Sequence, residues 1–555
     1  MLARPFRALL LCIFILSAFV SFHVFRRISA PPPAVLPTTL QALGLQARQI
    51  DFWRALLPIL QAHAPGCPSP KQDEKTGAIP FDAADPPRRP ALVSMPDADL
   101  LKMQQAHANV LQQLKSSAEL QPVVVPKSRG VVSTAGGSYL PVFVSSLRML
   151  RRTGSKLPVE LFLKDRGEYE SNICDHIIPS LNGRCIVLSD ILHPPSATDD
   201  VKKPHPPPST AKGAIEHYQL KIFAMLFSSF EEILFLDADC FPLHKPELLF
   251  DAPPYKNTGM VTWPDFWIST VSSQYYNITQ RPIPSIGLRA SSETGQILVS
   301  KMTHHTTLLL AAYYNYYGPS HYFSLLSQGA PGEGDKETFL QAAEAADEPF
   351  YAVRTPVTPI GHSKKGGGVA GSAMVQFDPV HDYQNTQQLS ARDSRNNPQA
   401  RFGTGNLHAR IAPHADDSSS SGGSGISASA SASTLPPPRA FFIHAHFPKF
   451  NPATVFDINF ETRPTYKADG SDGRAWVVPQ DTLARFGYDV ERAYWEEILW
   501  MSCEVKGGFK SWEAAEDKGK GICARVRKYW GNVFGGENGE VDEVSGIWDV
   551  RGRGG

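Results

Sequence analysis

Two carboxylates one residue apart close an apolar run. Residues 231–250 read EEILFLDADCFPLHKPELLF, and the stretch Ile233-Leu234-Phe235-Leu236 ends in Asp237-Ala238-Asp239. A short apolar run with such bounds reads as a buried strand. In an open α/β sheet, ligands bind outside the carboxyl ends of the strands, which is where Asp237 and Asp239 would stand. Residues i and i+2 of an extended chain point the same way. Two unpaired anions at one strand tip are costly unless a cation joins them. Hard divalent cations such as Mg²⁺ and Mn²⁺ take carboxylate oxygens, and they are commonly held by one or two carboxylates together with substrate phosphates. The spacing therefore predicts a clamp for a divalent cation and a diphosphate. Gly136-Gly137 lies at a predicted strand-to-helix turn, where backbone approaches a nucleotide closely. A plain turn is the alternative there.

The elements that would position these groups alternate. GVVSTAGG reads as a strand and a glycine turn, 139–152 as a helix, PVELFLK as a second strand and 168–179 as a helix. RCIVLSD is then a third strand, 213–230 a helix and EEILFLD a fourth strand. Strands alternating with helices imply βαβ units and a mostly parallel sheet covered on both faces. The pattern continues through GMVTWPD, helix-rich stretches at 293–317 and 335–346, and the strand YAVRTPV. Residues 381–438, through DDSSSSGGSGISASASASTLPPP, have the composition of a disordered surface insertion. Order is expected again at AFFIHAHFPKF, with a helix near 489–502. Ahead of the α/β region, residues 30–96 are rich in Pro and Ala and read as a spacer with a candidate helix at 40–63 inside it, followed by an amphipathic helix over 97–118. The expected layout is a short tail at 1–7, an apolar span at 8–25, a stem at 26–122 and a catalytic domain at 123–380. The insertion at 381–438 and a closing segment at 439–555 complete it.

The run 218–250, YQLKIFAMLFSSFEEILFLDADCFPLHKPELLF, resembles nucleotide-sugar glycosyltransferases of the GT-A fold. More narrowly, it resembles the fungal Golgi α-mannosyltransferases that build mannan side branches. Six further blocks resemble that family in the same order: 130–163, GMVTWPDFW (259–267), SSETGQILVSK (291–301), PGEGDKETFL (331–340), AMVQFDP (373–379) and FFIHAHFPKFNP (441–452). The resemblance implies that Asp237 and Asp239 bind Mn²⁺, or another divalent cation, and the donor diphosphate. It implies a late histidine ligand, which the pattern HAH leaves as His444 or His446. Lys449 would meet phosphate as a point charge, and Lys221 resembles a donor-site lysine. Asp335, rather than Glu337, would position the mannose or stabilise its developing positive charge. Asp265 would touch donor sugar or acceptor, with Trp263 and Trp267 offering flat faces to a sugar ring. Glu293 and Gln296 would hold donor or acceptor hydroxyls. The implied activity is retaining transfer of mannose from GDP-mannose to α-mannosides of mannan or of N- and O-glycans, in protein glycosylation and cell-wall synthesis. An α-1,2 linkage is preferred to α-1,3. Another nucleotide-sugar donor, or a noncatalytic place in a Golgi glycosyltransferase complex, are the competing readings.

The ends of the chain fit a lumenal enzyme. Residues 8–25 form 18 residues without charge, about 27 Å as a helix at ~1.5 Å per residue, close to the thickness of an early secretory membrane. They read as a retained anchor, giving a single-pass type II protein of the Golgi membrane with its body in the lumen. Outside that span lie six cysteines, and the short spacings 174/185 and 503/523 suggest local disulfides. No CxxC pair is present, which argues against a zinc ribbon. Asn277-Ile278-Thr279 is an N-glycosylation sequon. Lys and Arg number 54 and Asp and Glu 54, so no net charge points to nucleic acid as a partner.

Overall fold

The computed structural model describes residues 39–194, 215–396, 436–513 and 521–535. The 8–25 span and most of the Ser/Gly-rich stretch lie outside them. Among the described residues no helix is long and apolar enough to cross a membrane.

The main sheet has seven strands: β1 (Val125–Thr134), β2 (Val159–Leu163), β3 (Gly183–Val187), β4 (Phe230–Leu236), β6 (Met260–Ile268), β7 (Ala290–Ser300) and β8 (Tyr351–Ala352). Their spatial order is β8-β6-β7-β4-β1-β2-β3. Every neighbouring pair is parallel except the two that β7 makes, with β4 and β6. The mostly parallel sheet expected from the alternation is therefore present, with one reversed strand in its middle. A second, antiparallel sheet has the order β9 (Thr358–Ser363), β10 (Val369–Phe377), β11 (Ala440–His444), β5 (Cys240–Pro242). Strand β5 follows β4 across the Asp237–Asp239 turn, so that turn is the corner joining the two sheets.

Side-chain alternation sends successive residues to opposite faces. Leu234 and Leu236 enter one apolar core, while Ile233 and Phe235 enter the other. The longer helices among the described residues, in chain order, are α1 (Thr39–Ala62), α2 (Asp97–Ser116), α3 (Leu140–Arg152), α4 (Leu220–Phe227), α5 (His305–Tyr316), α6 (Thr338–Ala346), α7 (Pro379–Asn396), α8 (Val490–Glu504) and α9 (Ile522–Phe534). The first core holds α3, the second sheet, α8 and α9. The second holds α1, α2, α4, α5 and α6. Arg148 and Arg152 on α3 pair with the buried Glu497 of α8, tying the closing segment to the sheet. Cys174–Cys185 and Cys503–Cys523 are disulfides, as their spacing suggested.

Three expectations are corrected. Residues 39–96 are more than a spacer, while the helix expected over 97–118 is present as α2. Phe52, Trp53, Leu56 and Leu60 of α1 are buried in the second core, Trp53 meets Phe223 edge-on at 5.6 Å, and its Nε1 donates to the Leu192 carbonyl at 3.1 Å. Helix α4 is apolar nearly all round, so its outer face needs that cover. Residues 293–300 are strand, not helix. Strand β7 is buried on both faces and shows no alternation, so periodicity could not separate the two. Residues 381–396 of the Ser/Gly-rich stretch are helical, because α7 is pinned by the buried Asp382, which accepts from Tyr351 Oη at 2.7 Å and Thr355 N at 2.8 Å.

Candidate functional site

The corner between the sheets sets the site. Asp237 follows β4 directly, and its N–H donates to the Gly295 carbonyl of β7 at 2.9 Å. Cys240 N closes the turn onto the Asp237 carbonyl at 3.0 Å. Strand β11 pairs with β5 so that His444 lies opposite Cys240, and Ala445 N donates to the Asp239 carbonyl at 2.9 Å. Backbone register thus delivers the imidazole to the buried Asp239, with Nε2 3.1 Å from Oδ1. Asp237, Asp239 and His444 each offer a ligand atom, and those atoms lie within 4.8 Å of one another. Two carboxylates and an imidazole suit a divalent cation. Two ammonium groups already lean on the same oxygens: Lys221 Nζ at 2.9 Å from Asp237 Oδ2, and Lys449 Nζ on Asp239.

Charge is balanced tightly here. Burial alone would raise the Asp239 pKa, but Lys449 and His444 overcome it and hold the carboxyl well below the usual range. Burial opposes the charged forms of Lys221, His444 and Lys449, yet the carboxylates around them raise all three. His446 is different. Burial, then repulsion from His444, lowers it to about 4, and its Nδ1 meets the His444 carbonyl at 3.2 Å. Of the two histidines of HAH, the register brings His444 rather than His446 to the carboxylates.

Beyond this cluster runs a chain of ion pairs. Lys221 Nζ also lies 3.5 Å from Asp335 Oδ2 and 3.1 Å from Thr294 Oγ1. Asp335 is buried, and its Oδ2 accepts no hydrogen bond. Burial pushes its pKa up to about 6, with Lys221 opposing and Asp237 and Glu293 reinforcing the rise. The next residue, Lys336, donates to Asp265 Oδ2 at 2.8 Å and to the Pro331 carbonyl at 2.9 Å. Glu337, the rival to Asp335, faces away and is locked to Arg289 at 2.9 Å and to Ser291 at 3.0 Å.

Other expected residues fall elsewhere. Trp263 is buried in the core and donates to the Phe377 carbonyl at 2.9 Å, so it offers no face to a sugar. Gln296 is wholly buried beneath the turn, where its Oε1 meets the Cys240 thiol at 3.4 Å. Glu293 turns toward the Asp237, Asp239 and His444 cluster rather than outward: it accepts from Gly295 N at 2.8 Å and lies 3.7 Å from His444 Nδ1. A Cβ on Gly295 would sit 2.5 Å from that same nitrogen. Gly136 and Gly137 stand between β1 and α3 as expected. Gly136 is extended, with the Glu168 carboxylate filling the place of a side chain; Gly137 takes φ 52° over open space. Asn277 is exposed on the short helix Ser273–Thr279. Thr294 and Lys336 were missed by sequence reasoning. The one usable signal was that a buried Asp265 requires a cation.

A family model described as a putative mannosyltransferase matches residues 128–287 and 284–378. An alpha-1,2-mannosyltransferase of Candida albicans, MNN21, is 32% identical over 448 residues, 74% of this chain and 62% of that protein. An alpha-1,2-mannosyltransferase of Saccharomyces cerevisiae strain YJM789, MNN5, is 30% identical over 431 residues, 68% of this chain and 67% of that one. The chain thus spans less than two thirds of the first of these relatives. A solved galactosyltransferase, LgtC, with donor and acceptor sugar analogs bound, is 12% identical over 40% of this chain and 73% of its own. Its TM-score of 0.25 is too low to bear on the chemistry.

Proposed function

From the premise that this chain belongs to the mannosyltransferase family, we propose that it is a retaining α-mannosyltransferase. It moves mannose from GDP-mannose to the hydroxyl of an α-mannoside, forming an α-1,2 linkage. The observation that carries this reading is the convergence of Asp237, Asp239 and His444 at the carboxyl edge of β4. These three residues would hold a divalent cation, which when bound supplies Lewis-acid neutralisation of the departing diphosphate. Lys449 and Lys221 bring two further positive charges to the phosphate end. Asp335 lies on the far side of Lys221, where a donor sugar would stand, and its ionised carboxylate would steady positive charge developing on that sugar. The buried neighbourhood keeps this electrostatic effect undiluted by water. Asp265, neutralised by Lys336, forms the acceptor end. The body lies in the Golgi lumen, held by residues 8–25, and acts on mannan or protein-linked glycans.

Radiolabelled donors test the reading. The full-length protein with a divalent cation and a short α-mannoside should transfer label from GDP-mannose and not from UDP-sugars. Linkage-specific mannosidases should then release the added residue as α-1,2. Transfer from a UDP-sugar, or none from GDP-mannose, would overturn it.

A further inference from the structure

The Pro/Ala-rich segment ahead of the sheet closes on itself at the acceptor end of the site. Lys71–Gln72 pairs antiparallel with Val93–Ser94, so the intervening chain is a loop with joined ends, a form of surface loop that frequently carries function. The wholly buried Gln328 grips it: Nε2 donates to the Pro90 carbonyl at 2.9 Å, Oε1 accepts from Leu92 N at 2.8 Å, and the Gln328 carbonyl accepts from Thr76 N at 2.8 Å. Arg89 adds bonds to the carbonyls of Val271 at 2.7 Å and Pro284 at 2.8 Å. The middle of the loop lies along β6 as an extra antiparallel rung. Phe81 N donates to the Phe266 carbonyl at 2.9 Å, Ile268 N donates to the Ile79 carbonyl at 3.0 Å, and Pro80 stands opposite Trp267.

The place of that rung matters. It begins one residue beyond Asp265, at the end of the ion-pair chain that is farthest from the phosphate-facing lysines. Opposite residues of an antiparallel pair share a face, so Pro80 and Trp267 lie together; Pro80 is exposed and Trp267 half-buried. The neighbouring Asp82 is exposed and spends one oxygen on Ala84 N at 2.8 Å. A flat apolar face beside a free carboxylate oxygen suits a neutral saccharide ring, which offers C–H groups to the first and hydroxyls to the second.

We propose that the 71–94 loop and Trp267 form a distal acceptor subsite. It holds a sugar unit of the acceptor beyond the one that receives mannose, and so sets a preference for longer α-mannosides. This rests on the mannosyltransferase reading above. The loop lies outside the region matched by the family model, which begins at residue 128.

The test compares KM for α-mannosides of one, two, three and five units in the full-length protein. The unaltered protein should show a KM that falls about five- to tenfold as the acceptor lengthens, the scale of one aromatic contact. In Trp267→Ala, Pro80→Ser and Asp82→Ala the ratio between short and long acceptors should collapse toward one. Trp267→Phe should restore most of it, and KM for GDP-mannose should not follow the acceptor ratio. In NMR, saturation transfer to the pentasaccharide, with no donor present, should fall in the same variants to the level the monosaccharide gives. A protein that transfers mannose with no length preference, or variants that keep it, would overturn the subsite. A protein that transfers no mannose to any acceptor contradicts the mannosyltransferase reading instead, and the NMR arm still reports on the loop.

Discussion

Asp335 is a carboxylic acid held where charge is expensive. It is buried, one oxygen accepts nothing, and its pKa is pushed up to about 6. The folded protein therefore keeps this proton to a higher pH than the unfolded chain, whose Asp titrates near 3.9. As pH rises through that window the folded state loses relative stability, and the cost is full above about pH 6. Asp335→Asn should raise the melting temperature of the metal-free protein at pH 7.5 by roughly 2–4 °C. The gain should shrink through pH 6 and vanish below about pH 4; a gain that ignores pH would contradict this origin. The same residue illustrates what the sequence could show. In sequence alone DKETF marks only an acidic helix start, a pattern that an N-cap residue also makes. Only the fold shows Lys221 reaching it. His444 and His446 sit two residues apart, so periodicity could not choose between them. The choice comes from the β5–β11 register.

At the scale of elements, β7 is the piece that arranges the cluster. It runs against its neighbours, and its Thr294-Gly295 segment passes beneath both the Asp237 turn and the His444 ring. Gly295→Ala would place a methyl 2.5 Å from His444 Nδ1 and force the ring aside. With His444 as a ligand, as proposed, displacing its ring should weaken Mn²⁺ binding by about tenfold or more, the scale of disturbed ligand orientation. Isothermal titration should show the loss while the far-ultraviolet circular dichroism stays that of the unaltered protein. Unchanged Mn²⁺ affinity would mean that the ring has room to yield. The parallel strands were legible because each apolar run is bounded by turn residues. Strand β7 was not, because burial on both faces removes the period-two signal and leaves GQILVS equally apt for a helix. The 71–94 loop was hidden for the opposite reason. Its prolines and small residues are those of a spacer, and what places it is backbone bonding to Gln328 and Phe266.

The whole molecule is larger than the α/β unit its motifs outline. Helices α1 and α2 are built into the second core, with Leu45, Phe52, Trp53, Leu56, Ile59 and Leu60 all buried. At about 1.5–3 kcal/mol for each buried side chain, α1 alone accounts for on the order of 10 kcal/mol, as much as the net stability of many domains. A truncation starting at residue 123 should therefore aggregate or melt far below a protein starting at residue 36. Equal melting temperatures would show that α1 and α2 are dispensable cover. The proposed transfer requires a divalent cation held by Asp237, Asp239 and His444. Its most direct test is transfer from GDP-mannose to a short α-mannoside by the full-length protein, first in excess chelator and then with Mn²⁺ restored. No product is expected in chelator, with recovery once Mn²⁺ returns and a loss of at least about 100-fold in Asp239→Asn even when Mn²⁺ is present. Undiminished transfer in chelator, or full activity in Asp239→Asn, would contradict it.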